Sequence, residues 1–364
     1  MSNKPKEAAA AAPRRPFERV LKWAGAITAL VSLFFALYQL AGMAADARER
    51  TRHIGEALEI GRAQQAAGDY ASAWQTFEEA AKVADEGSLL ARLMGRLDAP
   101  RQRIRTAQAD LAMIWLRNSR IGSDERFSDL VDKVLPALER EIGAASGARK
   151  ADLLAHVGWA YFLKSRDGPI DAKPDSFYRQ SLDVDRANPF AHAYWGHWIL
   201  WTHGELDAAL AHFSAAAGAG RELPYVHRIE ASALRNTRSD AAEAQFLRVV
   251  REMQKGKEPI DERVRSDVYS IYYFAVTSGK DFTHLTAALP ASEQIAMIRA
   301  LFFDPSFDST RIPTRDAALA ILEEAAGQRA ESLAAWRALR ATLQSDAYGS
   351  LRTRADAEIK RLSQ

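Results

Sequence analysis

Residues 54–85 read "IGEALEIGRAQQAAGDYASAWQTFEEAAKVAD". Apolar positions recur there at helical spacing, and Gly68-Asp69 interrupts the run midway, so the stretch predicts two helices joined by a tight turn. Gly61 lets the first helix approach its neighbour closely. Tyr70, Phe77 and Ala80 place bulky and small contacts on the inner face of the second. The expected unit is a helical hairpin.

The pattern returns twice further along. "ADLLAHVGWAYFLKS" (151–165) spaces Leu154, Val157, Gly158 and Tyr161 as a first helix, and after the longer loop "RDGPIDAKPD" (166–175) its partner follows as "SFYRQSLDVDRANP" (176–189). "FAHAYWGHWILWTHGELDAALAHFSAAAGAG" (190–220) then repeats Gly196, Gly204, Ala209, Phe213 and Ala216 in register, apart from one extra residue before the turn. With these intervals the chain resembles the tetratricopeptide repeat (TPR) family. The clearest repeats are 54–85, 151–188 and 189–219, and weaker helical pairs are legible over 223–254 and 315–342. Ala57, where the family carries a larger residue, and the 166–175 insertion are departures from its pattern. Residues 86–150 and 255–312 keep helical periodicity without the repeat spacing.

The resemblance implies an all-α, TPR-like helical-hairpin solenoid over residues 46–364, with a concave groove lined by the first helix of each repeat. Carried over residue by residue, the groove positions are Trp159, Phe162 and Leu163 in one repeat and His197, Leu200 and Trp201 in the next. Trp195 and Trp198 fall on inter-helix faces. A groove with aromatic anchors suits a protein or peptide partner, because interface energy concentrates in Trp, Tyr and Arg. Core packing is the competing reading of the same aromatic residues.

Ahead of the hairpins lies an uncharged run from Trp23 to Ala45 in which only Thr28, Ser32 and Gln39 are clearly polar. As a helix it would be about 34 Å long, enough to cross a bilayer, and it exceeds the roughly 7–15 apolar residues of a signal peptide. We therefore expect residues 1–22 to form a flexible basic tail and residues 23–45 a transmembrane helix in contact with lipid. Lys4, Lys6, Arg14, Arg15, Arg19 and Lys22 precede the span and Arg48, Arg50, Arg52 and Arg62 follow it, which points the amino terminus to the cytoplasm. The expected setting is the inner (cytoplasmic) membrane of a bacterium, with the solenoid periplasmic; zero cysteines is compatible with that compartment. Ala24, Thr28, Ser32 and Ala36 recur every four residues, a small-residue stripe that allows helix packing and a homodimer through the membrane helix, or else arises by chance in an alanine-rich chain. Between Gly42 and Gly55 the segment "MAADARERTRHI" has no helix breaker and can pair Asp46 with Arg50, so the helix should continue into the first repeat unless Gly55 acts as a hinge.

The sequence carries few marks of chemistry. It contains no His-Glu-x-x-His, nucleophile elbow, cysteine nucleophile or phosphate loop, and no cofactor is expected. His192, His197, His203 and His212 crowd one hairpin, but their spacing along a helix predicts different sides and no metal site. A formal charge of +2 gives no reason to expect nucleic acid. The expected function is that of a membrane-anchored scaffold that binds or organises partner proteins without catalysis. The alternative is a membrane-linked sensor or adaptor whose groove receives a peptide or small ligand and signals through the anchor.

Overall fold

The computed structural model describes residues 16–86, 98–119, 126–235, 237, 239–279, 282–344 and 348–364. Among the described residues the chain is all-helical, with sixteen α-helices and no strand. Its contacts group into two compact units, Met1–Ser119 and Arg120–Gln364.

In the first unit, α1 (Pro16–Ala66) runs 51 residues, about 77 Å at helical rise, without interruption at Gly42 or Gly55, so residues 16–22 belong to the helix that Pro16 opens rather than to the expected flexible tail, the rest of which (1–15) lies outside the described residues. No hinge occurs at Gly55. Between residues 28 and 40 it exposes Leu30, Val31, Leu33, Phe34, Phe35, Leu37, Tyr38 and Leu40, and it is the helix among the described residues that is long and apolar enough to cross a membrane. Thr28, Ser32 and Ala36 are exposed on this segment, while the side chain of Ala24 lies outside the described residues. Further on, Ala47, Ile54, Leu58 and Gly61 are buried at spacings of seven, four and three, one stripe of a helix facing a partner. The expected ion pair forms, with Arg50 Nε 2.9 Å from Asp46, and Arg50 also donates to the carbonyl of Val83 at 3.3 Å.

That partner is α2 (Tyr70–Asp85). A Cβ added to Gly61 would fall 2.2 Å from Cε1 of Phe77, so the two axes come as close as they do only because residue 61 has no side chain. The turn between them needs Gly68, whose φ is +81°, and Asp69 caps α2 by accepting from the Ser72 amide at 3.1 Å. Next, α3 (Asp98–Asn118) packs Trp115 against Tyr70 and Trp74, ring centres 6.4 and 6.3 Å away.

The second unit repeats this construction. Helices α4 (Phe127–Ile142) and α5 (Gly147–Ser165) precede α6 (Pro174–Val184), α7 (Pro189–Thr202), α8 (Leu206–Gly218), α9 (Leu223–Arg235) and α10 (Asp240–Lys255). Gly158 of α5 faces Tyr178 of α6, and Gly196 of α7 faces Phe213 of α8, with an added Cβ 2.5 and 3.1 Å from the ring atoms. One glycine opposite one aromatic ring thus builds all three hairpins. The chain continues through α11 (Glu262–Thr277), α12 (Thr283–Ala288), α13 (Ala291–Phe302), a 3₁₀ turn (Ser309–Arg311), α14 (Ile312–Ala325), α15 (Arg329–Thr342) and α16 (Gly349–Leu362). The two weaker stretches, 223–254 and 315–342, are helix pairs, α9/α10 and α14/α15, in mutual contact.

Successive first helices α5, α7 and α9 lie side by side. Tyr194 of α7 stacks on Trp159 of α5 at 4.6 Å between ring centres, and its hydroxyl shares a 2.8 Å hydrogen bond with that of Tyr225 of α9. At one end Asp152 of α5 accepts from Asn188 Nδ2, 2.6 Å away, and from both terminal nitrogens of Arg221, at 3.0 and 3.3 Å. Asn188 also caps α7 by accepting from the Ala191 amide. This layering is what brings the candidate site together.

Candidate functional site

At the other end of the same three helices, His197, Leu200 and Trp201 of α7 meet Ala233 of α9 and Thr237 just beyond it around a cavity of about 180 Å³. Three of the six expected groove residues therefore line one space. The other three, Trp159, Phe162 and Leu163, are interior side chains and offer no open surface. Helix α7 is apolar and aromatic on nearly every side and is packed against α5, α8 and α9, so the positions assigned to a groove wall are covered by the neighbouring first helix. Trp159 and Phe162 instead form the box that holds His197, with ring centres 5.2 and 5.1 Å from the imidazole and edge-on to it. Trp195 and Trp198 are half-buried; Trp195 does reach the inter-helix face, stacked 4.8 Å from His212 of α8.

Depth separates the two ends of the cavity. His197, at its floor, is 2% exposed, and neither ring nitrogen has a hydrogen-bond partner among the described residues. Burial, and after it the positive charge of Arg166, pulls its pKa down to about 3, so the ring is neutral at pH 7. Trp201, at the mouth, is 43% exposed. Arg166, at the end of α5, lays its guanidinium over the Trp201 ring with Cζ 3.9 Å from the centre, a cation–π geometry. Its Nη1 is buried without a partner among the described residues, and burial lowers its pKa. Arg235, the last residue of α9, is also pulled down by burial and pairs with Asp267 at 3.5 Å.

Two further clusters escaped the sequence. His192 and His212, expected on different sides, meet with their Nδ1 atoms 2.9 Å apart, because they belong to the two facing helices of a hairpin rather than to one helix. Since His192 Nε2 donates to the carbonyl of Arg186 at 3.1 Å, its Nδ1 must accept from His212 Nδ1–H. Burial, then His192, holds the pKa of His212 down to about 4. Asp240, Glu243 and His284 bring three ligand-type atoms within 4.8 Å of one another, with His284 Nε2 3.9 Å from the Glu243 carboxylate. Forty residues of chain separate the acids from the histidine, so no short motif announces that cluster. Nor did any sequence signal mark Arg166, Ala233 or Thr237, which belong to the loop and the weaker hairpin flanking the better-marked repeat.

No protein-family model matches the chain, and no curated protein matches it.

Proposed function

We propose that this chain is a single-pass membrane protein whose TPR-like helical-hairpin solenoid binds or organises partner proteins near the membrane surface, without catalysis. The observation that carries the reading is helix α1. Large apolar side chains from Leu30 to Leu40 stand exposed over more than half of its circumference, and the same helix then becomes the first half of the first hairpin. A patch of that size is unfavourable in water and fits hydrocarbon, where a helix also satisfies its own backbone. The basic residues before Trp23 favour an amino terminus in the cytoplasm and a solenoid in the periplasm of a bacterial inner membrane. Trp201, exposed and flanked by Arg166, is the residue in the first-helix layer best suited to meet a protein partner, since Trp and Arg dominate interface energetics.

Membrane fractionation tests the anchor: the full chain should resist alkaline extraction, and a variant carrying Leu33→Lys, Phe34→Lys and Leu37→Lys should be released. A reporter fused after Gln364 should be active only outside the cytoplasm. Cytoplasmic activity alone would overturn the orientation, and extraction of the unaltered chain would overturn the anchor. A photo-crosslinker at Trp201 should capture a discrete partner that Arg166→Ala weakens.

A second reading, a sensor or adaptor that signals a bound ligand through the anchor, is favoured by one specific observation, the cavity beneath Trp201.

A further inference from the structure

His197 presents an accounting problem. A neutral imidazole carries one N–H donor and one lone pair, and leaving either buried without a partner costs the desolvation of that group, so a buried polar group without one calls for an explanation. Both nitrogens of His197 are in that position, and the ring lines a cavity. The space, about 180 Å³, far exceeds the roughly 30 Å³ share of one water and is comparable with the ~150 Å³ cavity that admits benzene. A ring-sized molecule fits.

The walls narrow its chemistry. Leu200, the Trp201 ring and Ala233 are apolar, while the Thr237 hydroxyl, which donates to the Ala233 carbonyl at 3.5 Å, keeps its lone pairs for accepting. The charge beside the mouth is positive. Arg166 stacks on the wall residue Trp201 and has a buried nitrogen without a partner, whereas the adjacent carboxylate, Asp167, is engaged by the Ser128 amide at 2.6 Å. Asp267 is ion-paired with Arg235 at 3.5 Å, although its Oδ2 accepts no hydrogen bond among the described residues.

We propose that the His197 cavity binds a small organic anion: an apolar body the size of one ring held by Leu200, Trp201 and Ala233, a polar substituent on the His197 imidazole, and a carboxylate at the Arg166 guanidinium. A planar, weakly hydrated guanidinium on an aromatic face suits a carboxylate better than an ammonium would. The proposal deepens the recognition reading of the Trp201 face by naming a ligand class for it. It requires neither a protein partner nor a bilayer.

The test is calorimetry and ligand-observed saturation-transfer NMR on the full chain in detergent micelles, with 4-hydroxybenzoate as the anionic probe and 4-hydroxybenzyl alcohol, which keeps the ring hydroxyl, as its neutral counterpart. Saturable binding of 4-hydroxybenzoate is expected with a Kd of about 1 mM or tighter, about tenfold tighter than 4-hydroxybenzyl alcohol. Arg166→Gln should weaken it about tenfold, and Ala233→Leu, which fills the cavity, should abolish it. His197→Phe, of similar shape, should weaken it at least tenfold and serves should Ala233→Leu fail to fold. Absence of saturable binding to the unaltered chain, equal affinity for the neutral probe, or unchanged affinity in the folded cavity variants would each overturn the proposal. Failure here leaves crosslinking at Trp201 to judge the protein-partner reading separately.

Discussion

Arg221 reaches back across 69 residues of chain to place Nη2 3.0 Å from Oδ1 of Asp152, the oxygen that also accepts from Asn188. One carboxylate therefore ties together three successive first helices. Arg221 is partly exposed, so its own share is small, but Asp152 is deeper and serves two donors. Asp152→Ala is expected to cost about 1–2 kcal/mol and Arg221→Ala less than about 1 kcal/mol. Urea denaturation of the two variants checks the ranking, and equal losses would mean that Asn188 gains nothing from Asp152.

Two glycines of the same helix should respond in opposite directions to alanine. Nothing lies within 4 Å of a Cβ at Gly55, whereas at Gly61 the Phe77 ring occupies the place. Gly55→Ala should stabilise the first unit by roughly 0.5–1 kcal/mol through helix propensity, and Gly61→Ala should destabilise it by about 1–3 kcal/mol through overpacking. Thermal melts of the pair give the sign directly.

Burial separates the two tryptophans once grouped on one groove. Trp159→Ala should cost about 3–5 kcal/mol, because it removes a ring stacked on Tyr194 and packed on His197. Trp201→Ala should cost under about 1 kcal/mol and leave the melting profile nearly unchanged. Early melting of the Trp201 variant would show that its ring supports the fold rather than the surface.

Acid sensitivity should trace to His197 together with His212, whose pKa burial also lowers. The pKa of His197 in the folded chain is about 3, below the ordinary value of 6.5, so between those values the unfolded chain binds the proton that the folded chain refuses. Stability is unaffected by this group above about pH 6.5 and falls as pH drops through the window, with a slope of up to about 1.4 kcal/mol per pH unit. His197→Phe should show a shallower decline between pH 6.5 and 4.5 in denaturant titrations at fixed ionic strength. An identical slope in both proteins would remove His197 from the account.

What could be read from the residues follows from which contacts are local. Gly61 with Phe77 and Gly196 with Phe213 are separated by a single turn, and a hairpin can be inferred from one glycine, one break and one aromatic ring in order. The course of α1 was legible up to Gly55, where a hinge stayed open as the alternative, because a glycine there neither forces nor forbids a break. The outward face of α7 was not. "PFAHAYWGHWILWT" is apolar or aromatic nearly all round, so periodicity cannot say which positions meet α5, which meet α8 and which meet solvent. The cavity suffers from the same blindness, since Ala233 and Thr237 reach it from a different hairpin and Arg166 covers its wall residue Trp201 from the end of α5.

Because α1 is one rigid rod from its apolar segment to Ala66, the azimuth at which α2 leaves it is set by residue count alone. Each residue added between Gly42 and Ala47 would turn the hairpin by about 100° around the rod, and seven would return it to within about 20° of its starting direction. Length of this connection is therefore a torsional coordinate: the face that the first hairpin presents depends on phase as well as on reach.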